Sequence, residues 1–123
     1  MTKWRQIKNN QNDQTLVPQA KWCTGFFSKL KGFMFRRSIN SDEGLVFVYP
    51  RDNRLNTSIH MFFVPFDLGV IWVNKAGEVV DLVRAKPWRP SYAPQKPASY
   101  VIELHPDKLD LVKIGDLVEF RPS

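Results

Sequence analysis

The chain has 123 residues, 43% hydrophobic and 13% aromatic, and carries a net charge of +6. That length suits one domain with room to bury a core unaided, and the aromatic content argues against a disordered chain. Cys23 is the single cysteine, which excludes an internal disulfide and any cysteine-based metal cluster.

The opening MTKWRQIKNNQNDQ has no apolar run, whereas a secretory signal needs about 7–15 apolar residues. Its composition through Asp13 reads as a polar arm over residues 1–13, with a short strand around Trp4 to Ile7, ahead of a single domain over 14–123. Thr24-Gly25 then precedes Phe26, Phe27, Leu30, Phe33 and Met34, a spacing that predicts one apolar helix face over residues 25–33. Thr24 is the expected N-cap, with Lys29 and Lys31 facing water near the C-terminal end.

From Gly44 the period changes. Leu45 to Tyr49 is a β-branched and aromatic run closed by Pro50, followed by a polar loop, Arg51 to Thr57. Ser58 to Val64 and Val70 to Val73 read as strands. Asn74-Lys75-Ala76-Gly77 is a hairpin turn into Glu78 to Val83, where broken alternation of Glu78 and Asp81 points to a bulge. Pro87, Pro90, Pro94 and Pro97 make residues 86–97 an extended surface loop, because proline lacks the N–H that a central strand or helix interior needs. Ser99 to Leu104 and Leu117 to Phe120 are further strands, separated by a short helical turn starting at Pro106 and a sharp return at Ile114-Gly115-Asp116. The fold class is therefore mostly β (α+β): a small barrel-like domain of about six or seven short strands with one helix.

Several segments taken together resemble a known family. Lys31-Gly32-Phe33-Met34-Phe35-Arg36 is similar to its RGLMFR block, Glu43 to Pro50 to its EGMLFVFP block, and Ser58 to Val64 to its SIHTFFM block. Val70 to Asn74, Gly77 to Val80, Tyr100 to Leu104 and Ile114 to Val118 follow in the same order. The family is domain of unknown function 192, and the resemblance spans Trp22 to about Phe120. It implies a barrel-like β fold with a helix packed nearby, and it brings no activity, cofactor or catalytic residue. The chain departs from the family pattern at Gly69, which stands where relatives show the Asp of a PID or PLD step, while Asp67 lies two residues earlier. Many relatives look exported, whereas this chain is expected in the cytoplasm.

Function is harder to read. The favoured expectation is a non-catalytic, monomeric domain that binds a ligand or partner through loop 86–97, using Trp88, Arg89 and Tyr92 with His60, since loop aromatics beside cations suit stacking. An alternative is nucleic-acid or other polyanion binding. Residues 1–40 carry eight Lys/Arg against Asp13 alone, with Lys29, Lys31, Arg36 and Arg37 as the candidates. A third is a hydrolase-like site at Ser58, His60 and Asp67, although a triad is recognised by geometry and not by sequence proximity. His60 and His105 lack metal-ligand spacing, and no glycine-rich phosphate loop exists, so neither metal nor cofactor is expected. Ile59 to Val73, the most apolar stretch, is interrupted by Pro65 and Asp67 and is shorter than the roughly 20 residues of a membrane span. Cys23 reads as a small buried hydrophobe, unless the following helix activates its thiol.

Overall fold

The computed structural model describes residues 3–122. Its elements are β1 (Lys3–Asn9), β2 (Gln14–Cys23), α1 (Phe26–Lys31), β3 (Gly44–Asn53), β4 (Leu68–Val73), β5 (Val79–Ala85), β6 (Ala98–Leu104), a 3-10 helix (Pro106–Leu111) and β7 (Val118–Pro122). The strands form one sheet in the order β5-β4-β6-β3-β2-β1-β7. Its two edges approach each other at an isolated bridge between Glu78 and Leu117, so the sheet curls without closing into a barrel. The expected mostly-β class holds.

The opening segment is more than an arm. Lys3–Asn9 is hydrogen-bonded to β2 on one side and to β7 on the other, with Ile7 and Asn9 buried. β2 tolerates Pro18 because the register slips there: Arg5 faces Ala20 while Ile7 faces Val17, leaving an extra residue around Pro18 and Gln19. The β4–β5 hairpin turns at Asn74 to Gly77, with Gly77 at φ 89°. Trp72 faces Asp81 and Val73 faces Val79, so Val80 is the extra residue of the expected bulge. β6 pairs antiparallel with both β3 and β4 and sends Ile102 and Leu104 to one half of the core, Ala98 and Val101 to the other.

One expected strand does not form, and the helix expected over residues 25–33 is present but shorter. Ser58 to Val64 is not a strand: Ile59 makes one bridge to Tyr92, and the chain then turns through Phe63 at φ 60°. Helix α1 spans only six residues, is capped at Gly25 with no side-chain bond from Thr24, and buries none of its residues. Gly32 ends it at φ 45°, so Phe33 enters the core from beyond the helix while Phe26, Phe27 and Leu30 face solvent.

The departure at position 69 has a steric reason. A Cβ on Gly69 would lie 2.8 Å from Leu104 Cδ1 and 3.2 Å from both the Leu104 carbonyl oxygen and Leu109 Cγ. Gly69→Ala is expected to destabilise by about 1–3 kcal/mol through overpacking, and Gly69→Asp by more, because its carboxylate would be buried without a partner. Urea midpoints of the two variants against the parent check this.

Candidate functional site

Strand parity alone puts an acid in the core. On β6, Ser99, Val101 and Glu103 share one face, and Glu103 faces Leu45 across β3 and Val70 across β4. Glu103 is 4% exposed, and no hydrogen bond or ion pair joins its carboxyl to a described residue. That carboxyl borders a pocket of about 480 Å³. Phe33, Phe47, Ile59, Val64 and Leu68 supply apolar wall, with Tyr49, Ser58 and His60 as polar groups and Phe26 and Leu30 where the wall reaches solvent. Gly32 lets the backbone pass directly over the acid, since a Cβ there would sit 3.1 Å from Glu103 Oε1.

The electrostatics follow from that burial. Removal from water pushes the Glu103 pKa from 4.5 up to about 8, so the group is chiefly a neutral hydrogen-bond donor at pH 7. Burial, with Glu103 as a lesser cause, also raises the Tyr49 phenol. Lys29 lies with its Nζ 3.8 Å from the Tyr49 ring centroid, and burial lowers its ammonium from the ordinary lysine range. Cys23 is buried, and desolvation raises its thiol, the opposite of activation.

The residues singled out from sequence disperse. His60 lines the pocket, but both ring nitrogens are held by backbone: Nδ1 accepts from Phe62 N–H at 3.2 Å, and Nε2 donates to the Leu30 carbonyl at 3.2 Å. Asp67 accepts instead from Arg84 at 2.7 Å and Lys86 at 3.0 Å, and Ser58 Oγ donates to the Arg54 carbonyl. The three do not assemble a nucleophilic site. Within loop 86–97 Tyr92 turns inward, its hydroxyl accepting from Lys86 N–H, while Trp88 and Arg89 stay exposed. The loop braces the pocket wall, since the backbones of Trp88, Arg89 and Tyr92 bond those of Ile59 and Met61. Of the basic candidates, Arg36 is held bidentately by Glu43 at 2.9 Å, Lys29 lies on Tyr49, and Lys31 and Arg37 are exposed. Among the described residues no group of three or more His, Cys, Asp or Glu gathers as a metal site, and no helix is long and apolar enough to cross a membrane. Glu103 is the site residue that sequence reading missed. Its signal was an acid taking the same parity as Val101 in an otherwise apolar strand.

A family model described as "Uncharacterized ACR", domain of unknown function 192, matches residues 6–120. The chain belongs to that family. It is 37% identical over 115 residues to a UPF0127 protein of Thermococcus sibiricus, covering 92% of this chain and 73% of the relative. It is also 37% identical over 119 residues to one of Thermococcus kodakarensis, covering 95% and 74%. Two crystal structures share the fold. A "putative transcription regulator" of Sinorhizobium meliloti superposes with a TM-score of 0.82 at 18% identity, over 98% of this chain and 94% of that one. A protein of unknown function of Novosphingobium aromaticivorans gives 0.81 at 19% identity, over 96% and 84%.

Titration of Glu103 gives a signed prediction. Its folded pKa lies above its unfolded one, so its contribution to stability is full below about pH 4.5 and is lost as pH rises through about 8. Between those values the folded state alone keeps the proton, and unfolding free energy should fall by up to about 1.4 kcal/mol per pH unit. Denaturant titrations across that range should show the slope in the parent and a flatter profile in Glu103→Gln.

Proposed function

We propose that this domain binds a small, largely apolar molecule in the pocket above Glu103 and receives its one polar end at that carboxyl. The observation that supports this is a buried acid with no partner among the described residues, facing about 480 Å³ of mostly apolar space. Ligand sites commonly combine an apolar enclosure with a few placed polar groups, and a buried titratable group with a displaced pKa marks such places. A neutral carboxyl donates to a carbonyl or ether; an amine would instead take its proton and leave an ion pair. In this reading the domain acts as a monomer in the cytoplasm, without catalysis or cofactor. His60 and loop 86–97 serve as wall and brace, and Trp88 and Arg89 belong to the outer surface.

The test is a thermal-shift screen of small amphipathic carbonyl compounds and amines at pH 7, using the parent, Glu103→Leu and Trp88→Ala. A ligand at a hundred times its Kd should stabilise the parent by about 2.7 kcal/mol. Glu103→Leu is expected to lose that shift and Trp88→Ala to keep it. Loss in Trp88→Ala with retention in Glu103→Leu would place binding on the loop and overturn the pocket reading.

A further inference from the structure

Among the described residues, three of the four non-glycine positions with positive φ are large aromatics: Phe35 at 65°, Phe63 at 60° and Trp88 at 64°. Such a backbone is strained for a bulky side chain and would suit glycine. These three also touch one another. Phe35 stacks on Phe63 at 4.9 Å, and Phe63 and Trp88 meet in an edge-to-face contact at 5.1 Å between ring centroids. The cluster is not core, because Phe35 is 72% exposed and Trp88 53%. His60 links Phe62 to the Leu30 carbonyl of α1, whose Phe26 and Phe27 form a separate exposed pair, Phe27 being 80% exposed. Single exposed apolar residues are ordinary; a joined set of this kind marks an interaction surface.

Charge indicates what that surface meets. The three segments that build it, residues 24–39, 59–66 and 86–97, contain seven Lys/Arg and no Asp or Glu. Arg36 and Lys86 are paired with Glu43 and Asp67 from outside these segments. Lys31, Arg37, Arg89 and Lys96 are exposed and form no ion pair among the described residues. We propose that this aromatic, cation-rich face docks onto the surface of an anionic lipid membrane, with the ring tips and Leu30 entering the headgroup boundary and the cations facing lipid phosphates. Surface-lying segments combine apolar tips with Lys and Arg in this way. A second copy fits less well, because a two-fold contact would set like charges against one another. A single-stranded nucleic acid stacks successive bases on a run of open ring faces, and here the mutual stacking of Phe35 and Phe63 covers one face of each. This face adjoins the rim of the Glu103 pocket at Phe26, Leu30 and Lys31, but the proposal does not require a ligand in that pocket.

Co-sedimentation with vesicles of phosphatidylcholine, with and without phosphatidylglycerol, tests it on the full chain. Binding is expected only with phosphatidylglycerol present, weakened by salt as exposed charges are screened. Phe35→Gly/Trp88→Gly removes two rings at positions where glycine is unstrained and neither ring lines the pocket, so the fold should survive with a melting temperature close to the parent's. This variant, and separately Lys31→Glu/Arg37→Glu, should bind anionic vesicles at least about tenfold more weakly, while Glu103→Gln should bind them as the parent does. Three outcomes overturn the proposal: no vesicle binding by the parent, undiminished binding by both double variants, or a Phe35/Trp88-dependent dimer or oligonucleotide complex in place of vesicle binding.

Discussion

The molecule is organised by β6. This strand is hydrogen-bonded along both sides, to β3 and to β4, and packed on both faces, so each residue from Val101 to Leu104 is buried. A strand in that position has no solvent-facing side on which to place a charge. Glu103 meets the constraint by remaining protonated, and the pocket opening over it exists because Gly32 brings the returning chain close without filling the space. The same strand thus supplies the sheet's centre and the one buried acid that borders the cavity.

Around this centre, polar groups elsewhere are satisfied with care. Trp72, almost wholly buried, donates its indole N–H to the Thr57 carbonyl at 2.7 Å and so pins the loop before the pocket wall to β4. Asn9, with no exposed surface, donates to the Leu111 carbonyl and to Asp116, tying β1 to the segment that leads into β7. Against that background Glu103 stands out, because its carboxyl is bonded to no described residue and faces the pocket instead.

What could be read from the residues depended on whether a local pattern matched its own environment. The β4–β5 hairpin with its bulge, the turn at Pro106 and the proline loop were legible because their signals are backbone rules: a glycine at positive φ, a missing N–H, an interrupted alternation. β2 was not, because Pro18 and the slip beside it set Leu16, Val17, Ala20 and Cys23 inside with no period of two. α1 misled in the other direction. Its spacing is that of a core-facing helix, yet a helix of under two turns ended by Gly32 leaves those rings outside. Ser58 to Val64 has strand composition, but Phe63 takes a left-handed backbone just ahead of Pro65. His60 lines the pocket while Asp67 pairs with Arg84 and Lys86, because proximity along the chain says nothing about which way a side chain turns.

The near-meeting of the sheet's ends has a consequence for how copies of this chain behave in a crowd. An open seven-stranded sheet would offer two rows of unpaired amides to any passing strand, the usual route to fibrils. Here the bridge from Glu78 to Leu117 turns the start of β5 toward the entry of β7, and the Val80 bulge twists what remains of that edge. Farther along β5, the Asp81 carboxylate accepts the Gln95 N–H of the proline loop, so a segment poor in donors lies beside the strand. Templated growth would first have to break those contacts, which makes the curl of the sheet a barrier to aggregation as well as the frame of a cavity.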